Sequence, residues 1–266
     1  MSPLPDTSAA EAYEAILVPE VFRPWAELMI TEAGIREGMR TLDVACGTGV
    51  VARCAARLCG ASGESTGIDI DAAMIEVARA ASIREGLRVV YHCGSATELP
   101  FQPDTFDAAF CLQGLQYFPD KATALAGLHR VMHKNAILVL ATWTDMQACA
   151  GHWAMIGALE RRNIDAREMR KPFALSDPAD LRRLAASAGF ESVTVQTMHR
   201  MVRFPSAQAF VESIAQGAPS SRLALAKVPA AEWPDFLADV EAQLAPWSLE
   251  GRLEFPMTSL LLSARR

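Results

Sequence analysis

The chain lacks the features that mark a membrane-spanning, secreted or nucleic-acid-binding protein. No apolar run approaches the roughly 18 residues a membrane helix needs. The opening MSPLPDTSAAEAYEA has no basic segment followed by an apolar stretch, so neither export nor membrane insertion is expected. Positive charge is not in excess: 25 Lys and Arg stand against 31 Asp and Glu, a formal net charge of -6. That argues against a partner held by neutralising many phosphates, and so against nucleic acid. The six cysteines, at 46, 54, 59, 93, 111 and 149, form no C-x-x-C pair. Reduced thiols in a cytoplasmic protein are expected rather than a zinc site or a disulfide framework. Repeats, charge blocks and a Pro/Gly/Ser-rich linker are also missing. What is present, 51% hydrophobic residues over 266 positions, suffices to bury a sizeable core.

Short apolar runs alternate with helical patterns. TLDVA (41–45) reads as a strand, and VVARCAARLC (50–59) as a helix stopped by Gly60. STGIDI (65–70) is a second strand, after which Asp71 can cap AAMIEVARAASIRE and Gly86 ends it. RVVYHC (88–93) and FDAAFCL (106–112) follow as strands. Asp120 then caps KATALAGLHRVMHK, and AILVLATW (136–143) has the unbroken apolarity of a strand buried on both faces. SVTVQTM (192–198) and the closing LEFPMTSLLLSARR add two more strands, and Asp177-Pro178 opens a helix between. The pattern predicts an α/β fold: a Rossmann-like, doubly wound, mostly parallel seven-stranded sheet with helical lid insertions. Four segments are expected: a helical lid at 1–34, a ligand-binding core at 35–145, a helical insertion at 146–175, and a completion of the sheet at 176–266 with an insertion at about 206–246. Both insertions leave from the carboxyl ends of strands, where open α/β sheets bind ligands.

The loop Cys46-Gly47-Thr48-Gly49 joins the first strand directly to a helix. Its glycines permit unusual dihedrals and close approach of a ligand, and the helix start presents unpaired N–H groups. Asp69 lies twenty residues beyond Gly49 at the end of the second strand, where a carboxylate can accept both hydroxyls of a ribose. Gly-x-Gly-x-x-Ala with a distant acid also fits a nicotinamide dinucleotide. Asp43 separates the two, because its charge faces a pyrophosphate unfavourably and an ammonium favourably. An amino-acid-bearing nucleoside such as S-adenosylmethionine is therefore favoured.

LDVACGTG, GIDI followed by Asp71 and Met74, GSATELPF and FDAAFCLQGLQYFPD occur in this order. Together they resemble a class I S-adenosylmethionine-dependent methyltransferase, similar to the small-molecule group of ubiquinone and menaquinone biosynthesis methyltransferases. The resemblance covers about 40–143. It implies S-adenosylmethionine as cofactor, with Asp43 toward the methionine amino group and the backbone of Ala45, Cys46, Gly47, Thr48 and Gly49 beside the methionine and ribose. It further implies Asp69 on the ribose diol, Ile70 and Met74 against adenine, Ala96 at the ring through its backbone, and Cys111, Leu112 and Gln113 at the methionine end. Two positions depart from the family. Ser95 stands where an Asp commonly accepts from the adenine amino group, and a hydroxyl accepts more weakly. His133-Lys134-Asn135-Ala136 replaces a Pro-Gly-Gly turn, a structural change because Asn135 tolerates a left-handed backbone.

Methyl transfer from a sulfonium chiefly needs alignment and exclusion of water, so a base is optional. If the acceptor is a phenol or carbon acid, His152 is the candidate base, with Tyr117 and Gln113 as further catalytic candidates and Gln116 and Trp143 as orienting groups. Tyr13, Trp25 and Trp153 are expected to form an apolar roof, which points to an apolar or aromatic small-molecule acceptor. Tyr117-Phe118-Pro119-Asp120-Lys121 matches the Tyr-x-x-x-Lys pattern of dehydrogenases, but Pro119 breaks the helix that pattern needs. His129 and His133 are one helical turn apart without a third ligand, so no metal site is expected. Two other classes stay open on sequence alone: a same-fold enzyme cyclising the sulfonium's own chain with release of methylthioadenosine, and a noncatalytic cofactor-binding partner.

Overall fold

The computed structural model describes residues 5–266, so the first four residues of the expected 1–34 lid segment lie outside the described residues. The chain begins with α1 (Ser8–Ala12), which runs into a π-helical stretch (Tyr13–Phe22) and then α2 (Arg23–Ala33). Gly34 ends this rod in the left-handed conformation, φ 62°. There follow β1 (Arg40–Val44), α3 (Val50–Cys59), β2 (Glu64–Asp69), α4 (Ala72–Arg84), β3 (Val89–Cys93), β4 (Phe106–Leu112), α5 (Lys121–Val131) and β5 (Met132–Trp143). After these come α6 (Ala150–Glu160), α7 (Arg167–Arg170), α8 (Pro178–Ser187), β6 (Glu191–Phe204), α9 (Ala207–Gly217), α10 (Pro219–Leu225), α11 (Trp233–Leu244), β7 (Ser248–Leu249) and β8 (Arg252–Arg265).

The strands form one sheet in the order β3-β2-β1-β4-β5-β8-β6, with the two-residue β7 paired to β8 as an eighth member. Strands β1 to β5 pair in parallel, and β8 runs antiparallel between β5 and β6. The winding reverses between β1 and β4, so the carboxyl ends of those two strands border the crevice where such sheets take ligands. Caps read from the sequence set the helix starts: Asp71 accepts from Ala73 N and Asp177 from Ala179 N.

Several boundaries differ from the sequence reading. The helix read as 121–134 stops at Val131, because Met132 pairs with Phe106 and begins β5. The ladder shifts register before Ala108 meets Ile137, and Asn135 takes φ 66° within that irregularity. Strands β6 and β8 are each 14 residues long, since their antiparallel pairing continues from Glu191–Arg265 to Phe204–Leu253. The alternation of HRMVRF (199–204) with basic residues concealed that extension.

Residues Ala136–Trp143 are buried throughout, as their apolarity predicts. The two insertions build a second core against β8, centred on Met155, Phe210, Phe236 and, from β8, Phe255. Each such side chain contributes about 1.5–3 kcal/mol on full burial, which makes the roof a packed layer rather than a loose loop.

Candidate functional site

The bend after β1 places Ala45, Gly47 and Gly49 all at positive φ, 55°, 53° and 83°. Cys46 N donates to Ile68 O at 3.1 Å and Gly49 N to Cys46 O at 2.8 Å, which fixes the bend against β2. A Cβ on Gly49 would lie 2.1 Å from Tyr91 Oη, so packing as well as dihedral requires glycine there. At Gly47 the nearest atom to a Cβ is Tyr13 Cε1 at 3.9 Å, so this face of the bend is free for a ligand. Asp69 Oδ2 accepts from Gly47 N at 2.8 Å and Oδ1 from Asp71 N at 2.9 Å. Each oxygen keeps a further lone pair, and burial pushes the carboxyl above its usual range.

A cavity of about 430 Å³ opens at this edge of the sheet. Of the expected cofactor contacts, Ala45, Gly47, Asp69, Ile70, Met74, Ser95, Ala96, Leu112 and Gln113 line it. Asp43, Cys46, Thr48, Gly49 and Cys111 are not among its lining residues. Asp43 sits beneath the bend, where Oδ2 accepts from Ala52 N at 3.1 Å and Oδ1 is buried with no partner. Loss of hydration pushes its carboxyl up to about 8. Burial likewise raises the thiols of Cys46 and Cys111, the latter to about 12, so both are inert protonated packing groups. Thr48 turns its hydroxyl to the amino-terminal segment, donating to Glu14 Oε2 at 2.5 Å. Ser95 Oγ accepts from Thr97 N at 3.2 Å and lies 2.8 Å from Thr97 Oγ1, so two hydroxyls stand where the family carries a carboxylate.

At the other end the cavity runs under the insertions. Tyr13, Tyr117, Trp143 and His152 line it. Trp25 does not: it is fully buried and meets Trp143 edge-on at 6.0 Å between ring centres. Trp153 points away and is 43% exposed, so the roof comes instead from Leu17, Val21, Phe22, Phe210 and Ile214. The Gln113 side chain is committed, since Nε2 donates to Ser259 Oγ at 2.7 Å and Oε1 accepts from Gln116 Nε2 at 3.1 Å. Gln113 is thereby a strut across β4 and β8 rather than a free donor. His152 is 9% exposed, Nδ1 has no partner, and burial pushes the imidazole down to about 4. It is neutral at physiological pH and a weak base. His129 packs edge-on against Phe190 at 5.2 Å and His133 lies in β5. No group of three or more metal-ligating side chains comes together among the described residues.

The sequence reading missed Thr97 and the buried Arg53, whose guanidinium pairs with Glu14. Arg53 follows Gly49 by four residues, one helical turn, and that spacing was the available signal. The roof residues Phe210 and Ile214 carried no motif.

An unpaired buried carboxylate oxygen, a partly open second carboxylate and a bend with a bare face fit a nucleoside that carries an ammonium. The fold is that of the doubly wound α/β class, and the site has the shape and polarity such a nucleoside needs. A methyltransferase domain profile matches residues 42–140, the stretch that carries the glycine bend and Asp69, and S-adenosylmethionine is the cofactor that this match supports. The chain is similar to demethylmenaquinone methyltransferase of Staphylococcus aureus. One strain's sequence is 35% identical over 121 residues, 45% of this chain and 49% of the relative, so that match spans about half the relative's length. Another strain's is 29% identical over 191 residues, 67% of this chain and 78% of the relative. Among solved structures, a candidate methyltransferase of Bacillus halodurans superposes with TM-score 0.61 at 20% identity, over 90% of this chain and 97% of that one. Phosphoethanolamine N-methyltransferase 2 of Haemonchus contortus, solved with S-adenosylhomocysteine, gives TM-score 0.62 at 17% identity over 98% and 57%. No described helix is long and apolar enough to cross a membrane.

Proposed function

We propose that this enzyme methylates a neutral, largely apolar aromatic small molecule by in-line transfer. The carrying observation is the polarity gradient of the cavity. Asp69, Asp71, Ser95 and Thr97 gather at one end, whereas Leu17, Val21, Trp143, Pro172 and Met257 wall the other without a carboxylate or a basic cluster. A charged acceptor would lose its hydration there with no compensating partner. When bound, S-adenosylmethionine supplies an electrophilic methyl group on a sulfonium.

The chain's own residues bind, orient and exclude water. Asp69 takes the ribose hydroxyls on the lone pairs that Gly47 N and Asp71 N leave free. Ile70 and Met74 cover adenine, Ala96 meets its edge through the backbone, and the Ser95–Thr97 hydroxyl pair receives the amino group. The unpaired oxygen of Asp43 draws the ammonium from beneath the bend, through water, while Ala45 to Gly49 offer backbone. Cys111 and Leu112 close the methionine end by backbone and packing. Tyr117 and Gln113 set the floor of the acceptor chamber. His152, being a weak base, orients the acceptor, and the proton that a hydroxyl acceptor loses on methylation passes to water as the product leaves.

The relatives' names bear on the choice. Demethylmenaquinone is an acceptor of the apolar aromatic kind that this chamber suits, whereas phosphoethanolamine is charged at both ends and would find no counter-charge. The test is to incubate the enzyme with S-adenosylmethionine and hydroxylated aromatic acceptors and to identify products by mass. S-adenosylhomocysteine with a methylated aromatic supports the reading. Methylthioadenosine would instead indicate intramolecular cyclisation, and binding without turnover a noncatalytic partner protein.

A further inference from the structure

Among the described lining residues contributed after β5, His152 is the only ionisable one. Its ring is gripped by hydrocarbon, edge-on to Phe173 at 5.5 Å and to Phe210 at 6.4 Å between ring centres. Phe210 is itself braced by Phe204 and Phe255 at 5.1 and 5.2 Å. A Cβ on Gly151 would fall 2.4 Å from Phe210 Cζ and 2.7 Å from Phe255 Cζ, so α6 reaches this cluster only because the residue preceding His152 is glycine. The imidazole is therefore held rigidly at the cavity wall with Nδ1 buried and unpaired. Nε2 is not among the fully buried atoms, so it is the ring nitrogen that a ligand in the cavity can reach, and a polar atom at such a wall can find its partner in the ligand.

A neutral imidazole has one donor and one acceptor nitrogen, so it complements a hydroxyl, which can play either part. It offers no charge to a carboxylate and no counter-ion to an ammonium. We infer that His152 is the specificity-determining contact for a hydroxyl on the acceptor ring, selecting a phenol or enol over an unsubstituted or carboxylated ring. This rests on the apolar-acceptor reading above and deepens it: the acceptor is recognised by one hydrogen bond at the far end of an otherwise hydrocarbon chamber.

Isothermal titration calorimetry on the full-length protein saturated with S-adenosylhomocysteine, with 2-naphthol, naphthalene and 2-naphthoate as probes, tests this without any turnover. The wild type is expected to bind 2-naphthol about tenfold more tightly than naphthalene, the size of one hydrogen bond, and 2-naphthoate more weakly than 2-naphthol. His152→Phe should equalise 2-naphthol and naphthalene, and His152→Gln should keep the preference. S-adenosylhomocysteine affinity should stay at the wild-type value in both variants. If His152→Phe does not fold, the ring nitrogen resonances of His152 in the ¹⁵N-labelled wild type decide: 2-naphthol should move them and naphthalene should not. A wild type that fails to prefer 2-naphthol, a preference surviving in His152→Phe, or unmoved nitrogen resonances would overturn the inference. Product analysis with S-adenosylmethionine stands apart from these readings, so failure of the hydroxyl contact and failure of the methylation reading are distinguishable.

Discussion

Glu14 of the π-helical stretch closes on Arg53 of α3 at 2.7 Å and thereby fastens the amino-terminal segment to the glycine bend. Arg53 is 1% exposed. Its guanidinium also donates to Thr48 O, and its Nε lies 3.1 Å from Glu85 Oε1, an ion pair not aligned as a hydrogen bond. With the Thr48 hydroxyl on the other Glu14 oxygen, a single carboxylate ties the strap, the bend and the first turn of α3 together. Tyr13 and Leu17, which flank Glu14 on the same stretch, both line the cavity.

Removing one partner of a buried ion pair costs more than the pair contributes, because the surviving charge stays dehydrated. Glu85 shares the load, so Glu14→Gln should cost about 2–3 kcal/mol rather than the full penalty. The double variant Glu14→Leu with Arg53→Met should recover much of that loss. Urea unfolding of the three proteins checks both statements, and a Glu14→Gln curve superimposed on the wild type would contradict them.

Asp69 does two jobs at once, holding the bend through Gly47 N and facing the cavity. Asp69→Ala should weaken S-adenosylhomocysteine binding by at least tenfold, since hydrogen bonds to an ionised group are worth about 1.5–3 kcal/mol each. Asp69→Asn keeps one acceptor oxygen and should fall between. Unchanged affinity in titration calorimetry of Asp69→Ala would remove the ribose assignment.

Asp43 carries a prediction about protons. Its folded value of about 8 lies above the ordinary 3.8, so the free protein at pH 7 holds a proton there. An ammonium drawn to the unpaired oxygen favours the carboxylate, so cofactor binding at pH 7 should release up to about one proton. Calorimetry in buffers of different ionisation enthalpy reads this directly, and Asp43→Asn should abolish the release. The raised value also means that the native state outcompetes the unfolded chain for this proton. Stability from Asp43 is complete below about pH 4 and lost as pH rises through about 8, a slope that Asp43→Asn should lack.

Much of the glycine-bend end of the cavity was readable from sequence because its chemistry is local. Gly47, Asp69 and the Asp71 cap lie at strand ends, where motif and position coincide. The roofed end was not readable in the same way. Phe210 and Met257 reach the cavity from parts of the chain separated by long antiparallel strands, and nothing in their neighbourhood marks them. Gln113 shows the limit from the other side: its position at the end of β4 was legible, but its commitment to Ser259, 146 residues away, was not. Trp25 and Trp153 belong to the same lesson, since a tryptophan near a cavity is as readily core or surface as lining.

His152 should shape the acid limb of the stability curve. Its folded value of about 4 lies below the ordinary 6.5, so between these pH values the unfolded chain binds the proton and the native state does not. Stability therefore rises with pH across that window, is complete above about 6.5, and is lost as pH falls toward 4. The shift corresponds to about 3 kcal/mol, at 1.36 kcal/mol per pKa unit. Measured by urea unfolding at pH 7 and pH 4.5, the wild type should lose more stability than His152→Phe by roughly 2–3 kcal/mol, a difference in which Asp43 and the surface carboxylates cancel. Parallel losses in the two proteins would mean that the imidazole is already hydrated, and a hydrated ring could not discriminate a hydroxyl by burial as the chamber requires.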